Sequence, residues 1–253
     1  MLEKVIRKFL YWPEPVAREK PLPGYVGNAE EVWFRSDLGN EIHSLYWPAP
    51  PKRPTILFFH GNAQTVFEWA LIRTELEPMR CGLLLVDYPG YGKSEGNPSE
   101  ESLYSCGNAA FEWLVSAKGI PENQIIIFGK SLGGGVACEV AQNRNILGLV
   151  LESTFRSIPS VAKKLLPMLP TAYIFKVERY DSISKLTNIH APVLVLHGDR
   201  DDLIPYEEGL ALYEAAGEPK SMYVIKGAGH SDVALTAGDD YGVRLRKWLD
   251  GIY

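Results

Sequence analysis

Short apolar runs alternating with helix-like segments predict an α/β fold, a mainly parallel sheet covered on both faces by helices. Three observations carry that prediction. The runs at 55–59, 82–86, 124–128, 146–151, 192–196 and 221–225 are compact and apolar, as strands buried on both faces are. Helix-like segments at 99–118, 136–144 and 206–216 separate them, and a last helix at 241–251 closes the chain. The 253 residues have ordinary composition, without repeats or low-complexity tracts, which suits one large domain spanning 1–253.

At the start, Leu2, Val5, Ile6, Phe9 and Leu10 fall at helical spacing, with Lys4, Arg7 and Lys8 between them. No continuous apolar stretch follows, so this is neither a signal peptide nor a membrane span. A short basic amphipathic helix could make peripheral contact with a membrane, but docking on its own domain is the favoured reading. Pro13, Pro15, Pro21, Pro23 and Gly24 then punctuate a loop, so 1–29 reads as an N-terminal helix and loop. Strand-like segments at 31–36 and 41–47, joined by Asp37-Leu38-Gly39-Asn40, look like an antiparallel hairpin at a sheet edge. The helix at 99–118 opens on serine and acidic residues, as a helix N-terminus should. The interruption at 152–191 contains an apolar stretch broken by Pro159, Pro167 and Pro170. It is too small for a second domain and about right for a short helical lid, although a purely structural excursion explains it equally well.

The formal net charge of −5 argues against nucleic acid or a polyanionic surface as the main partner. Cys81, Cys106 and Cys138 are widely spaced and odd in number, and no C-x-x-C or Cys/His metal spacing is present. Reduced thiols in a reducing compartment, the cytoplasm, are expected, with no metal. Nothing in the sequence sets an oligomeric state.

In parallel sheets the chemistry sits just after the carboxyl ends of the strands. The run at 124–128 ends in Gly129-Lys130-Ser131-Leu132-Gly133, a serine on a strand-to-helix corner with glycine two positions away on each side. That is the form of a nucleophile elbow. The corner residue is held strained, and side chains at the flanking positions would collide across the turn. Gly134 and Gly135 would keep the start of the helix slim enough to pack on the sheet. Alone the match is weak, since a glycine-rich turn with an idle serine reads the same way. After 55–59 comes His60-Gly61-Asn62-Ala63, where Gly61 would let the Asn62 N–H turn toward the site. With the Leu132 N–H at the start of its helix, two donors could meet a developing oxyanion. His60 belongs to the strand end and reads as a loop brace. After 192–196, Asp199, Asp201 and Asp202 compete as the acid that orients a histidine. Hard-metal loops space their ligands at alternate positions and add a distant glutamate, which this cluster lacks. After 221–225, glycines flank His230, and the chain order is serine, acid, histidine. His43 lies in the hairpin and His190 before a strand, so both fit worse.

The motifs FFHGNA (58–63), DYPGYGKSEG (87–96), GKSLGG (129–134), LHGDRDDLIP (196–205) and GAGHSD (227–232) together resemble the serine hydrolases of the α/β-hydrolase superfamily. The resemblance runs from about residue 30 onward and is strongest to the small-lid branch with Bem-type and protein-depalmitoylase-like hydrolases. It implies an α/β-hydrolase fold and a Ser131, Asp201 and His230 triad, because the acid is the fifth position of that branch's H-G-x-x-D-x-x-(I/V)-P pattern. Asp199 and Asp202 are then bystanders. It also implies an oxyanion hole of Asn62 and Leu132 and no cofactor. Two departures stand out: Ala63-Gln64 where the family often has Ala-Gly, which could reshape the pocket wall, and a short amphipathic start where many relatives carry a membrane helix.

The implied substrate is a small-molecule ester or thioester. Phe67, Tyr91, Phe155, Leu165, Leu166, Met168, Leu203 and Ile204 are apolar candidates for a short to medium acyl group, with Phe155, Leu203 and Ile204 chosen as substrate-binding. The same residues could simply be core. A serine nucleophile argues against the dehalogenases and epoxide hydrolases of this fold, which use aspartate. An aminopeptidase-like amide hydrolase would need a carboxylate for the substrate amine, which sequence alone does not place. A non-catalytic binding module would normally have lost a triad member, and none is lost. Because a histidine base must be neutral to accept a proton, activity should fall below about pH 6 to 7; a rate flat to about pH 4.5 on folded protein would contradict this.

Overall fold

Eight strands form one sheet in the order β1-β2-β4-β3-β5-β6-β7-β8. They are β1 (Glu30–Arg35), β2 (Glu41–Trp47), β3 (Thr55–Phe59), β4 (Gly82–Val86), β5 (Ile125–Lys130), β6 (Gly148–Glu152), β7 (Val193–Gly198) and β8 (Lys220–Ile225). β2 pairs antiparallel with both β1 and β4, and every other pairing is parallel. The computed structural model describes residues 6–8, 10–165, 167–168 and 170–253. The helices are α1 (Val66–Trp69), α2 (Ile72–Leu76), α3 (Glu100–Glu112), α4 (Leu132–Ala141), α5 (Ile158–Leu165), α6 (Thr171–Ile174), α7 (Ser182–Lys185), α8 (Tyr206–Ala215), α9 (Val233–Ala237) and α10 (Asp239–Ile252).

β3 to β7 are buried at every position, which is why they read as unbroken apolar runs. Successive residues still point to opposite faces. Leu57, Phe59, Ile127 and Leu151 share one core with Val136, Ala137 and Val140 of α4. Ile56, Phe58, Phe128 and Val150 share the other with Leu245 and Leu249 of α10. The antiparallel hairpin lies at the edge of the sheet, as its two strand-like segments and short turn suggested. α3 gives way to a single π-helical turn at Trp113–Ala117, inside the helix expected at 99–118. The short helices α1, α2 and α9 carry too few residues for their periodicity to show in the sequence.

The helix after the elbow starts at Leu132 rather than 136. Glycines at 133–135 lower helix propensity, but close packing overrides it. A Cβ on Gly133 would sit 2.0 Å from the Phe59 carbonyl oxygen, so α4 touches the end of β3 backbone to backbone. Gly134 and Gly135 serve other neighbours than the sheet: Cβ atoms there would meet Thr154 at 2.1 Å and the Tyr180 ring at 2.6 Å.

α5, α6 and α7 lie in the insertion between β6 and β7. At its start Arg156 pairs with Glu208 of α8 at 2.7 Å, and at its far end the buried Glu178 carboxylate accepts from Arg7 Nε at 2.6 Å and from the Glu100 N–H at 2.8 Å. The Tyr11 hydroxyl donates to the same carboxylate at 2.5 Å. The N-terminal segment, helical at 6–8 and 10, therefore docks on the domain, with Ile6 and Tyr11 buried. Leu2, Val5, Phe9 and Leu166 lie outside the described residues, as does the Leu165 side chain. Among the described residues no helix is long and apolar enough to cross a membrane.

Where β5 meets β6, Lys130 faces Glu152, and the Nζ lies 2.6 Å from Glu152 Oε1 while the Tyr241 hydroxyl donates to Oε2 at 2.5 Å. Glu152 is fully buried. Removing the cation alone leaves an unpaired buried carboxylate, so Lys130→Ala should lower unfolding free energy by about 3–5 kcal/mol in urea titration. A loss under about 1 kcal/mol would show that the pair is neutralised by other means.

Candidate active site

Ser131 is the corner between β5 and α4, with φ 53° and ψ −119°. A non-glycine residue persists there only when its surroundings hold it. Its N–H donates to the Glu152 carbonyl at 2.9 Å, and its carbonyl accepts from Thr154 Oγ1 at 2.7 Å and the Gly134 N–H at 3.0 Å. A Cβ on Gly129 would lie 2.4 Å from the Gly133 carbonyl oxygen, so the expected collision across the turn is real.

Three of the sequence-predicted residues meet in one hydrogen-bonded line. Ser131 Oγ lies 3.0 Å from His230 Nε2, and His230 Nδ1 lies 2.8 Å from Asp201 Oδ2. Each comes from a loop or corner at the carboxyl end of a strand: β5, β7 and β8. Asp201 also accepts at Oδ1 from the backbone N–H groups of Leu203 at 3.1 Å and Ile204 at 2.8 Å. Burial alone would raise its carboxyl, but hydrogen bonds from His197, His230 and the Ile204 N–H, with the charge of His230, hold it well below the usual carboxylate range. An ionised Asp201 can only accept, which assigns the proton to His230 Nδ1 and leaves the Nε2 lone pair facing the serine hydroxyl.

His230 is held from both sides. Asp199 Oδ1 accepts from the Gly227 N–H and Asp232 Oδ1 from the Gly229 N–H, each at 2.6 Å. Asp199, expected as a bystander, thus fastens the histidine loop, while Asp202 is exposed. His197 is the residue whose role sequence reasoning missed. It lies inside β7, fully buried, with Nε2 2.8 Å from the Ile204 carbonyl oxygen and 3.4 Å from Asp201 Oδ2. Its position in the HGDRDDLIP stretch was the only available signal.

The loop after β3 closes the other side. A Cβ on Gly61 would lie 3.5 Å from Ser131 Cβ. Neither the Asn62 nor the Leu132 backbone N–H donates to a carbonyl or side chain among the described residues. His60 is fully buried, with Nδ1 2.7 Å from the Gly61 carbonyl oxygen, and its own carbonyl accepts from the Tyr88 hydroxyl at 2.7 Å. Burial lowers its pKa, Asp87 partly offsetting this, so His60 stays neutral and braces the turn. Burial pushes the Cys81 and Cys138 thiols up to about 12, which removes them as thiolate nucleophiles at neutral pH.

Of the acyl-contact candidates, Phe155 and Ile204 are buried in the core beside α4, and Leu203 is 49% exposed. Phe67 belongs to the core on the opposite face, against the His43 ring. Tyr91 is buried with its hydroxyl on Asn62, and Met168 is exposed.

Asp201 gives a linkage test. Its folded-state pKa is depressed, so its contribution to stability is present above the unfolded value of about 3.9 and is lost as pH falls below it. The stability difference between wild type and Asp201→Asn should therefore shrink steadily from about pH 5 toward pH 2 in urea titrations. A difference independent of pH would contradict the depressed carboxyl.

The family model of the alpha/beta hydrolase fold matches residues 54–182. An uncharacterized protein of Mycobacterium tuberculosis is 34% identical over 248 residues, 96% of this chain and 86% of its own length. Alpha/beta hydrolase domain-containing protein 17C of Homo sapiens is 33% identical over 225 residues, 88% of this chain and 66% of that protein. Among solved structures, an esterase of Pyrococcus furiosus superposes with a TM-score of 0.74 at 17% identity, covering 96% of this chain and 97% of that one. An alpha-beta hydrolase of Vibrio vulnificus gives 0.73 at 24% identity over 89% and 83%.

Proposed function

The chain belongs to the α/β-hydrolase family, and we propose that it is a serine hydrolase cleaving carboxylic esters or thioesters with short to medium acyl groups. The observation that carries this reading is the unbroken Ser131–His230–Asp201 line at 3.0 and 2.8 Å, set on a strained corner. Its sequence motifs favour the small-lid branch with Bem-type and depalmitoylase-like enzymes.

His230 Nε2 takes the Ser131 hydroxyl proton as Oγ attacks the carbonyl carbon, and Asp201 stabilises the imidazolium that results. The carbonyl π electrons move onto oxygen, where the free N–H groups of Asn62 and Leu132 receive the charge. Collapse expels the alkoxide or thiolate, which leaves with the proton from His230, and an acyl group remains on Ser131. Water then repeats the cycle with His230 again as base, releasing the acid and restoring the serine.

Ser131→Ala should abolish p-nitrophenyl butyrate hydrolysis with the fold intact by circular dichroism, and a fluorophosphonate should modify Ser131 in the wild type. Full turnover by Ser131→Ala would end the proposal. Oxygen esters and thioesters of graded chain length, assayed side by side, separate esterase from thioesterase; a rate that rises monotonically into long acyl chains would overturn the short to medium preference.

A further inference from the structure

We propose that the Asn62 side chain is a positioning element, and that segment 10–12 is a strap through which it fixes the Asn62 backbone N–H at the place where an oxyanion forms. This deepens the serine hydrolase reading and rests on it.

The Asn62 amide is used at both ends. Oδ1 accepts from the Tyr91 hydroxyl at 2.6 Å and from the Trp12 N–H at 3.2 Å, while Nδ2 donates to the Leu10 carbonyl at 2.6 Å. The Trp12 N–H also lies 3.2 Å from the Tyr91 hydroxyl oxygen, which closes a three-member ring of side chain, phenol and strap. Only one amide orientation satisfies these partners, because the strap offers a carbonyl on one side and an N–H on the other. Burial raises the Tyr91 phenol above its ordinary value, so it stays a donor. Since the side chain points at the strap, the loop presents its backbone to the site, where Gly61 abuts Ser131.

The following residues show why such fixing is needed. Ala63 and Gln64 both have left-handed backbone angles, φ 62° and 64°, which side-chain-bearing residues adopt only under constraint. The strap continues past them: the Gln64 N–H donates to Glu14 Oε1 at 3.4 Å, the Gly92 N–H to the Glu14 carbonyl at 3.0 Å, and the Val16 N–H to the Gly92 carbonyl at 2.7 Å. Upstream, Tyr11 is buried and its hydroxyl lies 2.7 Å from that of Tyr180 in the insertion. The N-terminal segment is thus joined both to the loop that carries Asn62 and to the insertion between β6 and β7.

Asn62→Asp is the informative variant. It keeps shape and the Oδ1 acceptor but sets a carboxylate oxygen, in place of Nδ2, against the Leu10 carbonyl, where a donor is required. Tyr91→Phe removes one donor to Oδ1, and Trp12→Pro removes the other. For each, kcat and KM are measured with p-nitrophenyl butyrate, together with Tm and inhibition by a trifluoromethyl ketone, whose hemiketal on Ser131 mimics the oxyanion. Asn62→Asp should lose about 10- to 100-fold in kcat with KM within about threefold, and lose inhibitor affinity by a matching factor. Tyr91→Phe and Trp12→Pro should each lose a smaller factor in the same two quantities, and the combined Asn62→Asp/Tyr91→Phe variant should fall short of the product of the two losses. Wild-type kcat in folded Asn62→Asp overturns the proposal, as does a loss confined to Tm or KM. If the wild type itself neither takes a fluorophosphonate nor turns over esters, the serine hydrolase reading fails and the proposal falls with it.

Discussion

The first turn of α4 is pressed against the end of β3 with no side chain between them, and the rest of the site depends on that contact. Gly133 permits it, since any Cβ would overlap the Phe59 carbonyl. The contact sets the helix start beside the loop that β3 feeds, so free N–H groups from two separate elements face one small region. It also leaves Ser131 no ordinary backbone conformation. The strain is held by hydrogen bonds to Glu152 and Thr154, both from the end of the neighbouring strand β6 and its loop.

The site is assembled across five adjacent strands of the sheet, β3 to β8 without β4. The loop with free N–H groups and the serine corner lie at β3 and β5, Asp201 and His230 after β7 and β8, and β6 between them supplies hydrogen bonds that hold the corner. Two histidines reach the Asp201 carboxylate, but their duties differ. His230 is aimed at the serine, whereas His197 is buried and spans the acid's own loop through the Ile204 carbonyl.

The central strands were legible because burial on both faces leaves unbroken apolar runs, and Ser131, Asp201 and His230 were legible because motif and chain order restrict them. Other features follow from contacts that sequence spacing does not encode. The start of α4 was misplaced because glycines read as loop, whereas the packing partner that requires them, Phe59, is far off in sequence. Phe155 and Ile204 have the residue types of an acyl pocket and of a core alike, and only burial shows that their side chains belong to the core cluster. The docking of the N-terminal segment rests on Arg7 with Glu178 and Asn62 with Leu10, pairs whose members are separated by 171 and 52 residues. Amphipathic spacing announced a face to be covered, not what would cover it.

Buried carboxylates at Glu208 and Glu178 grip the insertion near both of its ends, one through Arg156 and the other through Arg7, Tyr11 and the start of α3. Swinging the whole insertion outward on a hinge would have to break both of these charge clusters at once. The insertion is thus pinned at two separate points rather than hung from one.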